Sequence, residues 1–268
     1  MDDTTRLLVL VILLGAGVIV GSFLNVVIYR VPLGLSIVRP GSACPSCGAP
    51  ISARDNIPIL SWLLLRARCR SCGVRISARY PCVELANGLL WVAFGWWAID
   101  ATGIDPLLPW LLVIGSAGLA LTMIDIDHHR LPDAIVFPLY PAAVVGLAIA
   151  GILSGEWPLG PAAIGIGAWL LVIGGLWLFS GGRGMGFGDV KAAPILGATL
   201  GWVGVGPAVV GLMAAFVLGG GYGIVLLLTR RAGRGSKMPF GPFLFAGALL
   251  GLFMGGTIWD AYLGSMGL

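Results

Sequence analysis

"LLPWLLVIGSAGLALTMIDIDHHRLPD", residues 107–133, runs for eighteen residues without a charge. It then packs three aspartates, two histidines and an arginine into nine. Eighteen helical residues at about 1.5 Å each reach roughly 27 Å, close to the ~30 Å hydrocarbon core of a bilayer. The stretch therefore reads as a membrane-crossing helix that delivers carboxylates to the membrane boundary.

The rest of the chain agrees. Of 268 residues, 58% are hydrophobic and only 10% charged, against about 25% charged in a soluble domain. Apolar runs long enough to span recur at about 7–29, 82–99, 107–124, 134–153, 161–180, 190–205, 207–228 and 240–259. These predict an all-α polytopic membrane protein with about eight transmembrane helices. The sixth is short and glycine-rich. The 43 glycines have no collagen-like period, so they point to close helix packing in lipid. The first run begins with Asp2 and Asp3 rather than basic residues, and it exceeds the ~7–15 apolar residues of a signal-peptide core. It is read as a retained helix.

Charge gives the orientation. All Lys and Arg except Arg6 fall within 30–79, 125–133, 181–191 and 229–239, which share one face of an eight-span chain. The opposite loops hold Asp100, Asp105, Glu156 and Asp260 and no Lys or Arg. By the positive-inside rule the Arg-rich face is cytoplasmic and both termini are periplasmic. The net charge of +4 is then a topology signal and no pointer to nucleic acid.

Residues 30–81 form the one substantial polar segment, and it contains "CPSCG" and "CRSCG". Cys44, Cys47, Cys69 and Cys72 make two C-x-x-C pairs, suited to a tetrahedral, structural Zn²⁺ with no open coordination position. Two disulfides are the alternative, disfavoured in a reducing compartment. The glycine after each second cysteine lets the chain turn tightly. Cys82 reads as a small buried hydrophobe. The organisation expected is a first transmembrane helix (1–29), a cytoplasmic zinc-binding insert (30–81) and a seven-helix membrane domain (82–268).

Charged groups at membrane depth are costly and mark function. Asp125, at the end of the third span, and Asp189, in "GMGFGDVK" (184–191) after the fifth, come to the same face at similar depth. Two carboxylates sharing a site split into one acid and one base, which is the chemistry of an aspartyl protease. Gly186 and Gly188 would give the backbone unusual conformations and let a substrate strand approach Asp189. Asp127 and Asp133 are expected in a short solvated loop, Asp133 capping the next helix. His128 and His129, adjacent on one turn, are poor joint chelators. Lys191 either snorkels to the interface or orients a substrate carboxylate.

Six stretches in order carry a family resemblance: "GSFLNVVIYRVP" (21–32), "CPSCG", "RDNIPILSWLLLRARCRSCG" (54–73), "ISARYPCVEL" (76–85), "LTMIDIDHHRLPD" (121–133) and "GFGDVK" (186–191). The chain resembles the type IV prepilin peptidases, membrane aspartyl proteases of the GxGD type. That resemblance implies Asp125, seven residues before Pro132, and Asp189 as the catalytic pair. It also implies cleavage of the basic leader of prepilins or pseudopilins at the cytoplasmic face of the bacterial inner membrane, in type IV pilus or type II secretion systems. Forms with the cysteine insert, as here, also N-methylate the new terminus with S-adenosylmethionine. No nucleotide-binding loop stands out. Glu84, charged at a membrane boundary, is a methyltransferase candidate unless it pairs with an Arg of "RISARY". Two other readings stay open: a GxGD protease cutting within other helices, and a proton-coupled transporter using the two aspartates as a relay. The oligomeric state is open.

Overall fold

The structure is a computed structural model, described over residues 2–100, 103–182, 185–229 and 238–267. Among the described residues it is helical, with three isolated β-bridges and no sheet. Arg183 and most of the last basic segment, 230–237, lie outside the described residues.

The chain divides into two compact units, Met1–Ala120 and Leu121–Leu268. The first holds α1 (Asp3–Arg30), the insert with its five-residue α2 (Leu60–Leu64), and α3 (Arg79–Ala98). α4 (Leu108–His128) runs across the division. The second unit holds α5 (Asp133–Ser154), α6 (Leu159–Phe179), α7 (Phe187–Val203), α8 (Val205–Leu228) and α9 (Gly241–Ser265).

A helix stands at each of the eight expected places. Six of them, α1, α4, α5, α6, α8 and α9, are long and apolar enough to cross a membrane. α3 and α7 are not among the six. α3 buries two polar residues, Glu84 and Asn87, and α7 has 17 residues with Pro194 inside. The shortness of α7 has a physical reason: it is the inner helix of its unit, packed against α5, α6, α8 and α9. Ten of its residues, from Asp189 to Gly201, are buried. A helix lined by neighbours does not have to present a full apolar cylinder to lipid.

Glycine sets how closely the helices pair. A Cβ on Gly165 of α6 would lie 2.2 Å from the carbonyl oxygen of Gly197 on α7, and one on Gly247 of α9 would lie 2.5 Å from that of Gly211 on α8. In the first unit a Cβ on Gly21 would stand 2.7 Å from Glu84 Cα. These are backbone-to-backbone contacts, which small residues permit in lipid. Large apolar side chains point outward instead, as Leu171 and Phe179 do at 76% and 91% exposure.

Candidate functional site

The insert is built from two copies of one turn. In the first, Cys44 N–H donates to Ala49 O and Gly48 N–H donates back to Cys44 O, both at 2.9 Å. In the second, Cys69 N–H donates to Val74 O at 2.8 Å and Gly73 N–H to Cys69 O at 2.9 Å. Gly48 and Gly73 sit at φ +70° and +71°, the left-handed region that favours glycine. The turns converge: the four sulfur atoms lie within 4.8 Å of one another, and Cys44 Sγ is 3.9 Å from Cys72 Sγ. Tetrahedral bonds of about 2.3 Å place sulfurs roughly 3.8 Å apart, so the cluster fits a metal ion. Backbone N–H groups of Cys47 and Ser46 lower the Cys44 thiol to about 6, and those of Cys72 and Ser71 lower Cys69. Both favour the thiolate that a metal needs. Asp55, bidentate to Arg70 at 2.6 and 2.8 Å, braces the insert.

The second unit assembles the acids. α4 continues as helix to His128, past the expected end of the span. Asp125 is therefore helical and shares a buried stripe with Leu121 and Ile124, at 5% exposure. Asp127, two residues on, faces outward, as a 100° turn per residue requires. Asp189 lies in the first turn of α7, also 5% exposed. The carboxylates are near enough to act on each other electrostatically. Asp125 Oδ2 accepts the N–H of Gly241 at 2.9 Å, the first residue of α9. Each acid thus sits at a helix N-terminus, where unpaired N–H groups and the helix dipole favour negative charge. Burial opposes that charge.

Gly241 was not singled out from the sequence. A Cβ there would meet Asp125 Oδ2 at 2.9 Å and Leu131 Cδ2 at 3.2 Å. Its available signal was the start of a helix, "GPF", with proline in the first turn. Leu131, buried, also meets the Cβ position of Gly188 at 2.9 Å. It is wedged between the starts of α7 and α9.

Two local expectations need correcting. Gly186 has φ −71° and Gly188 is helical, so neither uses a conformation reserved for glycine. They are needed for proximity: to Leu131 at Gly188, and to Asp189 Oδ2, 3.2 Å from the Cβ position of Gly186. Asp133 is the first residue of α5 and Pro132 takes the cap position, with no side-chain cap bond. The Asp133 carboxylate instead pairs with the ammonium of Lys191. Lys191 also stands over the rings of Phe137 and Phe187, and its carbonyl accepts the Tyr140 hydroxyl at 2.8 Å.

Glu84 does not pair with an Arg of the 75–79 stretch. It is buried, and its Oε2 accepts the N–H of Ile59 at 2.7 Å. Cys82 is exposed, contrary to the buried role expected of it.

These features define a class: a helical membrane protein with a four-cysteine, metal-fitting insert in one unit and a pair of buried aspartates in the other. Sequence comparison divides the chain in a matching way. The model of the bacterial peptidase A24 N-terminal domain matches residues 16–98, and that of the type IV leader peptidase family matches 112–224. Among the relatives, the prepilin leader peptidase/N-methyltransferase of Aeromonas hydrophila is 39% identical, covering 91% of this chain and 90% of that one. Its counterpart in Pseudomonas aeruginosa is 36% identical, over 92% and 91%. The one in Myxococcus xanthus is 43% identical, over 81% of this chain and 63% of that protein. No solved structure matches. The chain belongs to the type IV leader peptidase family.

Proposed function

We propose that the chain is a bifunctional enzyme of the bacterial inner membrane that removes the leader of prepilins or pseudopilins and methylates the new N-terminal amine. The observation that carries the peptidase half is the burial of Asp125 and Asp189 together, each at a helix N-terminus. Asp125, holding the Gly241 N–H, is the ionised base that takes a proton from the attacking water. Asp189 is the acid that protonates the scissile carbonyl oxygen. The tetrahedral carbon then expels the amine, which receives the proton held by Asp125, while the hydroxyl formed from the carbonyl oxygen returns its proton to Asp189 as the new carboxyl forms. Gly186 leaves room beside the Asp189 carboxylate, Gly188 lets Leu131 pack against the start of α7, and the ion pair with Asp133 fixes Lys191.

The metal of the insert is zinc in a structural role. Four thiolates leave no open position, and a segment this small needs a staple. Residues 30–81 form that cytoplasmic insert after a first transmembrane helix (1–29), and residues 82–268 contain the peptidase. With α3 and α7 also crossing the bilayer, the Arg-rich loops and the acids face the cytoplasm and both termini the periplasm.

The test is incubation of the purified chain in detergent with a full-length prepilin, with and without S-adenosylmethionine, and mass spectrometry of the new N-terminus. The expected products are a protein shortened by its leader and, only with the donor, one methyl heavier. An intact prepilin under all conditions would contradict the peptidase assignment.

A further inference from the structure

The two sides of the short helix α2 are unlike. Ser61 is buried, and its hydroxyl donates to Arg54 O at 3.0 Å and accepts the Ile57 N–H at 3.1 Å. The Trp62 indole N–H donates to Ile76 O at 3.2 Å, which pins α2 to the chain leading into α3. Leu60, Leu63 and Leu64, spaced i, i+3, i+4 and so on one face, are 56%, 57% and 81% exposed. The N–H groups of Ser61, Leu63, Leu65, Arg66 and Ala67 are all taken by carbonyls of residues 57–63, the condition for backbone that meets lipid.

Positive charge follows this face. Arg66, Arg68 and Arg75 are exposed, and Arg68 pairs with Arg75 across an isolated antiparallel bridge. Residues so paired carry Cβ atoms about 4.5–5.5 Å apart, and like charges directly opposite repel. Two guanidinium groups held together in this way call for an anion between them.

The depth of α2 follows from its contact with α3. The Ile59 N–H, just before α2, donates to Glu84 Oε2 at 2.7 Å. Ile59 is held there at φ +61°, a conformation that a β-branched residue adopts only when its surroundings impose it. Glu84 lies five residues past Arg79, the first residue of α3, or about 7.5 Å along the helix. Gly21 of α1 is level with it, its Cβ position 2.7 Å from Glu84 Cα. Gly21 is nine residues, about 13 Å, from Arg30 at the end of α1. Arginines at span ends mark the cytoplasmic boundary. The Glu84 side chain leans back toward the start of α3 and brings its contact to the depth of about 5–10 Å at which interfacial helices lie.

We propose that α2 is an in-plane anchor in the cytoplasmic leaflet of the bilayer. Leu60, Leu63 and Leu64 enter the acyl chains, and Arg66, Arg68 and Arg75 meet the phosphates of anionic headgroups. The cysteine turn that begins at Cys69 is thereby held at the bilayer surface. This rests on the membrane topology proposed above.

Photocrosslinking of the full chain in vesicles of phosphatidylethanolamine and phosphatidylglycerol tests the anchor. A photoreactive benzoylphenylalanine replaces Leu64 or, as a lipid-facing reference, the exposed Leu171 of α6, and elution position reports whether each variant is folded. Adducts of lipid mass are expected at both positions. Lipid adducts at 171 with none at 64, or adducts at 64 to this chain or a second copy, overturn the anchor alone. No lipid adduct at either position overturns the topology as well. Hydrogen exchange over residues 57–68 is expected to be about fivefold or more slower in phosphatidylglycerol than in phosphatidylcholine vesicles. Arg68→Gln combined with Arg75→Gln should remove that difference. Equal exchange of the wild type in both lipids, or a difference that survives in the double variant, overturns the headgroup contact.

Discussion

The cysteine cluster and the aspartate pair are built in opposite ways. Each half of the cluster is a local turn: five residues, C-x-x-C-G, with two backbone hydrogen bonds and a left-handed glycine, repeated nearly identically at 44–48 and 69–73. Its geometry is written where its ligands are. The aspartate pair is assembled from the end of α4, the first turn of α7 and the first residue of α9, residues 125, 189 and 241. No local pattern contains it. A local device is broken by changing its own turn, whereas an assembled one is also broken from a third helix that carries no chemistry.

The comparison gives graded expectations. Largest is the loss of cleavage in Asp125→Asn or Asp189→Asn, about 10²–10⁴-fold in rate by prepilin processing assays, with metal content unchanged. Gly241→Ala should come next. Its methyl group would occupy the position 2.9 Å from Asp125 Oδ2, and a displaced carboxylate is expected to slow cleavage roughly 10–100-fold. If Gly241→Ala cleaves at the wild-type rate, the third helix has no part in holding Asp125. Gly188→Ala forces a Cβ to 2.9 Å from Leu131 Cβ, and it should cost about 1–3 kcal/mol in thermal or denaturant unfolding. Gly48→Ala, at φ +70° with open space around its Cβ position, should cost only about 1–2 kcal/mol. It is expected to weaken metal retention against a chelator while leaving cleavage intact. The smallest effect is expected for Asp133→Asn, whose ion pair with Lys191 is more than half exposed on the aspartate side, about 0–1 kcal/mol.

The same contrast explains what could be read in advance. Every helix that positions the acids was legible from apolar run length, and the cysteine turns from their spacing. The identity of Asp125 and Asp189 as the buried pair followed from their depth. What the residues alone did not reveal depended on tertiary contacts. Gly241 sits 116 positions from the carboxylate it touches. The helical state of Gly188 was hidden because glycine ordinarily weakens a helix; here Leu131 occupies the space its side chain would take. The partner of Glu84 is a backbone N–H at Ile59, presented by a conformation its residue type disfavours, and no pattern of charges announces that. α7 departed from an ordinary span because its neighbours, rather than lipid, surround it.

The proposed catalytic pair requires the two aspartates to act as one unit, and a double-mutant cycle on prepilin cleavage measures that. Rates for Asp125→Asn, Asp189→Asn and the double variant should be nearly equal, since removing either member already removes the acid–base pair. Losses that multiply in the double variant, or substantial cleavage by either single variant, would contradict a catalytic dyad.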